Sequence, residues 1–309
     1  MAGPDSTMQA VTAEIPPINS LTVEQARQGY RQYLEIDEEI ADIGDVHDTT
    51  ISELDSDIPV RIYEPVGTGA RPLVVWMHGG GFILGDVESY DPTCRALCDV
   101  LDAVVVSVDY RRAPEHPFPA AVEDCYVATE WAAESAEQFG ANPDRLVVAG
   151  DSAGGNLAAS VAQLARDKDG PSIHHQALIY PTTTFKFGFD TESEPNTDFF
   201  LTEPDLEWSW ELYLDNELHG MTPYASPLQA RSVAGLPPAT IITCTFDPLH
   251  DEGVEYANRL EEAGVEVSHT NYDEMIHSFI TLLAEPRIEQ AWDALEFIRA
   301  SLYDEPIGE

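Results

Sequence analysis

Residues Gly150-Asp151-Ser152-Ala153-Gly154, continued by Gly155, set one serine among small neighbours. A serine hydroxyl is a weak nucleophile until a base takes its proton. It is best presented from a sharp turn between a strand and a helix. The flanking residues supply that setting. Residues 146–149 read as a buried strand, and residues 153–167 as a helix with Leu157, Val161, Leu164 and Ala165 on one face. The turn forces Ser152 into a strained backbone conformation, and its small neighbours let strand and helix approach. The helix start aims N–H groups and a positive dipole end at the hydroxyl. Alone, such a string recurs by chance; between strand and helix it marks a nucleophile.

A second string, His78-Gly79-Gly80-Gly81-Phe82, follows directly on an apolar run at 72–77. Successive glycines let the backbone turn sharply and point N–H groups into a cavity. Such donors stabilise the oxyanion that forms when a nucleophile adds to a carbonyl. Gly79, Gly80, Gly81 and Ala153 are assigned to this hole, Gly79 chiefly shaping the turn. His78 is expected to support the loop by hydrogen bonding.

An elbow and a glycine loop in this order are those of an α/β-hydrolase fold, where an acid and then a histidine follow the serine along the chain. The acid should end the seventh strand and the histidine should follow the eighth. Asp247, in Phe246-Asp247-Pro248-Leu249, and His277, in Met275-Ile276-His277-Ser278-Phe279, occupy those places. Of the other eight histidines, His250 shares the segment of the acid, His269 falls in a strand, and His78 belongs to the glycine loop. His47, His116, His174, His175 and His219 have no matching location. Asp251 falls inside a helix.

Those residues need a scaffold, and the hydrophobic pattern describes one. Strands are expected at 49–54, 59–64, 72–77, 104–109, 146–149, 176–180, 239–243 and 265–272, with a hairpin turn at Asp55-Ser56-Asp57. Helices are expected at 21–34, 93–101, 120–139, 153–167, 250–262 and 287–302, the first with Thr22 as N-cap. Alternating strands and helices make an eight-stranded, mostly parallel sheet flanked by helices. The interval 185–221 breaks the rhythm with Phe199, Phe200, Trp208, Trp210 and Tyr213 among many acids, and reads as a cap inserted over a ligand site. The chain is therefore divided into an N-terminal cap segment (1–47), a first core part (48–184), the inserted cap (185–221) and a second core part (222–309). The first 20 residues are polar and proline-containing and are expected to be mobile.

Composition sets limits on partners. The chain has 309 residues, 56 of them Asp or Glu and 15 Lys or Arg, for a formal net charge of −41. Such a chain repels phosphate backbones and anionic lipid surfaces, so nucleic acid and membrane are not expected partners. The acids are dispersed rather than gathered in a tail, and only Lys168 and Lys186 are lysines, a composition resembling haloarchaeal cytoplasmic proteins. In about 1 M salt the Debye length falls to roughly 3 Å and the self-repulsion is screened. Cys94, Cys98, Cys125 and Cys244 lie among apolar neighbours and read as buried free thiols of a reducing compartment. No signal peptide or apolar span is apparent, and a cytoplasmic location is expected.

Taken in order, these motifs resemble the hormone-sensitive-lipase family of α/β-hydrolases, the bacterial family IV esterases. The resemblance runs from about residue 60 to the end. It includes the glycine loop, Tyr110-Arg111 with Ala113-Pro114-Glu115, the elbow continued to Asn156-Leu157-Ala158, Ser226-Pro227-Leu228, Asp247-Pro248-Leu249 with Asp251-Glu252, and the His277 segment. It implies a serine carboxylesterase with a helical cap, the triad Ser152, Asp247 and His277, short- to medium-chain neutral esters as substrates, and no metal or cofactor. Ser278 stands where the family usually has Gly, Glu274 where Gly is common, and Arg112 where Leu is usual. Tyr30, Phe82, Phe199, Phe200, Leu201 and Trp208 are the candidate pocket residues. Another acyl hydrolase (amidase, deacetylase or lactonase), a long-chain lipase and a catalytically silent binding protein are the competing readings, and a homodimer is left open.

Overall fold

The computed structural model describes residues 3–36, 40–53, 56–185, 199–284 and 288–303. Eight strands form one sheet: β1 (Asp45–Glu53), β2 (Ser56–Glu64), β3 (Arg71–Met77), β4 (Val104–Val108), β5 (Ala141–Asp151), β6 (His175–Ile179), β7 (Ala239–Phe246) and β8 (Val267–Ile276). Their order is β1-β2-β4-β3-β5-β6-β7-β8. β2 pairs antiparallel with both neighbours, and all other pairings are parallel. The central strands are buried on both faces, which is why they read as unbroken Val, Leu and Ile runs rather than alternating ones.

Alternation still decides which layer each side chain meets. Leu73, Val75 and Met77 of β3 join Val104 and Val106 on the face covered by α4 (Ala120–Ser135), α5 (Ala153–Asp167) and α7 (His250–Glu262). Val74 and Trp76 join Val105 and Val147 on the face covered by α3 (Asp91–Leu101) and α8 (Glu289–Leu302). After β3 the chain crosses to β4 on one side, and after β5 to β6 on the other. The sheet therefore has its switch point between β3 and β5, where a crevice opens at the strands' C-terminal ends. Met77 pairs with Gly150, so the glycine loop and the elbow leave the sheet side by side. Phe246 pairs with Ile276, so the residues following β7 and β8 also emerge together.

Two expectations are corrected. The expected turn at Asp55-Ser56-Asp57 is corrected at its second half, because the register runs unbroken to Glu53↔Ser56 and Ser56 and Asp57 already belong to β2; Leu54 and Asp55 lie outside the described residues. Residues 3–20 carry structure: α1 (Ser6–Thr12) is capped by Asp5, whose carboxylate accepts from Thr7 N and Met8 N, and Met8 is fully buried. A short turn at Ile18–Ser20 follows, then α2 (Val23–Leu34), held by a capping box between Thr22 and Gln25. Polar composition hid these few apolar anchors. In the inserted interval, residues 186–198 lie outside the described residues, and α6 (Glu203–Tyr213) follows a second capping box at Thr202 and Asp205. Asn19 N donates to Asp205 Oδ1 at 3.0 Å, which joins the N-terminal arm to α6. β1 begins at Asp45, so the sheet starts within the segment assigned to the cap. All four cysteines are buried and unpaired. Among the described residues no helix is long and apolar enough to cross a membrane.

Candidate active site

Ser152 sits between β5 and α5 with φ 56° and ψ −118°, a conformation that L-residues rarely adopt. Its surroundings enforce it. Ser152 N donates to Ile179 O at 2.8 Å, and Ser152 O accepts from Asn156 N and Thr182 N. A Cβ on Gly154 would overlap the Met77 carbonyl oxygen, and one on Gly155 would sit 2.9 Å from Pro181 Cβ, so the close approach of β3, β5 and α5 requires glycine there.

The hydroxyl is met by two residues from the other pair of strand ends. His277 Nε2 lies 2.8 Å from Ser152 Oγ, and His277 Nδ1 lies 2.7 Å from Asp247 Oδ2. Asp247 Oδ1 accepts from Leu249 N at 2.8 Å, which fixes the carboxylate plane. Asp247 is 1% exposed and His277 5%, so bulk water does not intervene in the line. The geometry is that of a nucleophile, a base and an orienting acid. The rival pair points elsewhere: His250 Nδ1 meets Asp251 Oδ1 at 2.7 Å within α7.

The glycine loop is held peptide by peptide. His78 is fully buried and stacks on Tyr110 at 4.2 Å. Burial pushes its imidazole down to about 4, so it is neutral. Nδ1–H donates to Gly79 O at 2.9 Å, and Tyr110 Oη donates to His78 O at 2.8 Å. Gly80 O accepts from Ile83 N and Leu84 N. A peptide's N–H points opposite its C=O, so holding Gly79 O and Gly80 O aims the N–H groups of Gly80 and Gly81 the other way. Gly80, Gly81 and Ala153 all line the cavity at Ser152, and among the described residues none of their N–H groups has a partner. Gly79 is different: its N–H donates to Asp151 Oδ1 at 2.8 Å and is not available to an oxyanion. Its assignment to the hole is corrected; it anchors the loop.

Asp151 is the participant that sequence reasoning missed, although it stands inside the elbow motif. It is 1% exposed, and Tyr90 Oη donates to its Oδ2 at 3.0 Å. Burial pushes its carboxyl up to about 6, opposed by the Tyr90 hydrogen bond, the charge of His277 and the Gly79 N–H. Glu252, in the segment after Asp247, is also buried. Its Oε1 accepts from Thr183 N at 2.5 Å beside the elbow, and burial pushes it up to about 8. The signal for Asp151 was an acid inside the glycine-rich elbow string, and that for Glu252 was the Asp251-Glu252 pair following Asp247.

The cavity over Ser152 encloses about 60 Å³ and is mainly apolar. Tyr30, Phe82, Phe200 and Leu201 line it as expected, and Phe82 is locked against Tyr213 at 3.8 Å. Two expected residues do not. Phe199 packs edge-on against Phe246, and Trp208 packs against the core cluster. Trp210 takes the place given to Trp208: Leu206, Trp210 and Tyr213 share the buried face of α6 at helical spacing, which Trp208 does not. Ile15 and Ile18 of the N-terminal arm complete the wall.

A sequence-family profile described as alpha/beta hydrolase fold matches residues 74–281. The carboxylic ester hydrolase LipN of Mycobacterium tuberculosis is 47% identical over 244 residues, which are 77% of this chain and 65% of that protein, just under two thirds of its length. The carboxylesterase NlhH of the same organism is 44% identical over 230 residues, 73% of this chain and 72% of that one. Among solved structures, a hyperthermophilic esterase from the archaeon Pyrobaculum calidifontis superposes with a TM-score of 0.90 at 37% identity, covering 99% of this chain and 100% of that chain.

Proposed function

The chain belongs to the α/β-hydrolase-fold family, in its hormone-sensitive-lipase group of carboxylic ester hydrolases, and from that membership we propose that it is a serine carboxylesterase of small neutral esters. The observation that carries the reading is the line Ser152 Oγ–His277 Nε2 at 2.8 Å and His277 Nδ1–Asp247 Oδ2 at 2.7 Å, opening on a cavity edged by the N–H groups of Gly80, Gly81 and Ala153, which have no partner among the described residues.

In the proposed reaction His277 takes the Ser152 proton as Oγ adds to the ester carbonyl. Asp247 holds the Nδ1–H tautomer and stabilises the imidazolium. The tetrahedral oxyanion is held by the N–H groups of Gly80, Gly81 and Ala153. His277 returns the proton to the departing alcohol, leaving an acyl-Ser152. Water, deprotonated by His277, then adds to the acyl carbonyl, and His277 returns that proton to Ser152 Oγ as the acyl–oxygen bond breaks and the acid leaves. Every step is a proton transfer or acyl transfer among these residues.

The cavity supports the substrate range. A volume of about 60 Å³ has room for roughly two to three heavy atoms, which suits short acyl groups. Its apolar lining and the net charge of −41 favour neutral over anionic substrates. Segments 1–47 and 185–221 are proposed to act together as the cap, through walls contributed by Ile15, Ile18, Leu206 and Trp210. The charge also supports adaptation to molar salt, where self-repulsion is screened.

The test is hydrolysis of p-nitrophenyl esters from acetate to palmitate by wild type and Ser152→Ala, in KCl from 0.1 to 3 M. Turnover of acetate to hexanoate esters that is lost in the variant, with a melting temperature that rises with KCl, is the expected result. Wild type that is folded yet silent on every ester would reject the esterase reading. A melting temperature indifferent to KCl would reject salt adaptation alone.

A further inference from the structure

A line of buried polar groups runs from the N-terminal cap to the glycine loop. Tyr30 Oη, on α2, lies 2.7 Å from Tyr90 Oη. Tyr90 Oη lies 3.0 Å from Asp151 Oδ2, and Gly79 N–H donates to Asp151 Oδ1 at 2.8 Å. The direction of the line follows from proton counting. An ionised carboxylate only accepts, and Tyr90 has one proton, which goes to Asp151. Tyr30 therefore donates to Tyr90. Successive donors in a low-dielectric interior strengthen one another, so the last bond to Asp151 depends on the first.

The contact at the far end is tight. A Cβ on Gly79 would overlap Asp151 Oδ2 and come within 2.9 Å of Tyr90 Oη. Gly79 is thus packed on the pair as well as bonded to it, and its own carbonyl is held by His78. The next N–H along the chain is that of Gly80. A second observation ties α2 to the same loop. Arg27 donates to Ile83 O at 2.9 Å and to Ala113 O at 2.9 Å, and Arg31 pairs with Asp86 at 2.5 Å. The helix grips the glycine loop on its near side through Tyr90 and Asp151, and on its far side through residues 83–86.

We propose that Tyr30 is a positioning residue: its hydroxyl orients the Tyr90–Asp151 pair that holds Gly79, and so sets the N–H groups that receive the oxyanion. The N-terminal cap then contributes to the rate of the chemical step and not only to substrate access. This rests on the serine-esterase reading given above.

Tyr30→Phe tests the proposal, because it keeps the ring that walls the cavity and deletes only the hydroxyl. With p-nitrophenyl butyrate in 3 M KCl, kcat falls about three- to tenfold, the rate equivalent of one hydrogen bond, while KM changes less than about twofold. The affinity for butylboronic acid, which adds to Ser152 as a tetrahedral mimic, falls by the same factor as kcat/KM. Asp151→Asn lowers kcat about 10- to 150-fold. Adding Tyr30→Phe to Asp151→Asn costs less than it does in wild type, because the line is already broken. A kcat equal to wild type in a folded Tyr30→Phe, a loss confined to KM, an unchanged boronate affinity or strict additivity with Asp151→Asn would each overturn the proposal while leaving the esterase reading intact. Wild type without esterase activity would overturn both.

Discussion

Replacing Asp247 by Asn tests the active-site reading at its most sensitive point, because the structure dictates how the amide must lie. Asp247 Oδ1 accepts from Leu249 N at 2.8 Å, and Oδ2 faces His277 Nδ1 at 2.7 Å. An amide has one acceptor. If its NH2 faced Leu249 N, two donors would meet in a site that is 1% exposed. The carbonyl therefore keeps Leu249 and the NH2 faces Nδ1. That arrangement requires Nδ1 to accept, so the imidazole proton moves to Nε2, the atom 2.8 Å from Ser152 Oγ. A base whose lone pair points away from the nucleophile cannot take its proton. Shape, volume and fold are preserved, so the whole effect appears in the chemical step. A wrong tautomer of this kind lowers turnover on the order of 10⁴-fold, about 5 kcal/mol of transition-state stabilisation. The assay is kcat/KM for p-nitrophenyl butyrate in 3 M KCl, with the melting temperature measured alongside. A folded Asp247→Asn enzyme within about tenfold of wild type would refute the argument that Asp247 sets the His277 tautomer.

Two further predictions concern stability. Gly154→Ala would drive a Cβ into the Met77 carbonyl and to 2.8 Å from His78 C, both of them backbone, and should destabilise by about 3 kcal/mol or more. Gly29→Ala, on α2 with nothing within 4 Å, should instead stabilise by about 0.5–1 kcal/mol; calorimetry of the two variants reads the opposite signs. Glu252→Gln addresses pH. The folded-state value of Glu252 is raised from 4.5 to about 8, so the folded protein keeps this proton where the unfolded chain has lost it. The resulting stability is fully present below about 4.5 and is lost as pH rises through about 8. Wild type should therefore lose up to about 4 kcal/mol relative to Glu252→Gln between pH 4.5 and 9. Urea melts of both proteins across that range measure the difference, and parallel pH profiles would remove the buried carboxyl as its source.

Elements written in period were legible, and elements written in single contacts were not. The apolar runs within β3 through β7 announced themselves because strands covered on both faces need continuous apolar sequence, whereas the polar first half of β5, from Ala141, lay outside the expected 146–149. Helices α5 and α7 begin and end where the pattern placed them, since each carries an apolar stripe along its length. The N-terminal arm has no such stripe. Its anchorage rests on Met8 in the core and on Ile15 and Ile18 at the cavity, and isolated apolar residues among polar ones look the same as a solvated tail. In the same way, the elbow and glycine-loop motifs name Ser152 and the glycines, but the partner of the Gly79 N–H lies 72 residues away. Only the pairing of Met77 with Gly150 brings the two together, and that register is a property of the sheet rather than of either motif. Trp208 and Trp210 differ by two positions on a helix, so one faces the cavity and the other does not; composition counted both, and the phase set by Leu206 and Tyr213 separates them.

The scarcity of cations bears on how such a chain holds its N-terminal helices against the sheet's loops. Thirteen arginines and two lysines face 56 carboxylates, and several of the arginines lie at joints between elements. Arg27 and Arg31 fasten α2 to the segment after the glycine loop, Arg61 faces Asp48, Glu88 and Asp91 from β2, and Arg112 donates to Gly85 O. These contacts are made at hydrogen-bond distance, and those to carbonyls are not ion pairs at all. Repulsion among the dispersed acids acts over longer separations. Salt discriminates between the two by range. At about 1 M the Debye length of roughly 3 Å removes interactions across the surface but leaves groups in direct contact largely coupled. Each exposed pair contributes little, about 0–1 kcal/mol, so the gain on adding salt comes mainly from lost repulsion and not from strengthened bridges. That sign is the reason the proposed salt dependence should appear as a rise in melting temperature. It also places the joints made through backbone carbonyls, including the Arg27 clasp beside the glycine loop, among the contacts that survive at high ionic strength.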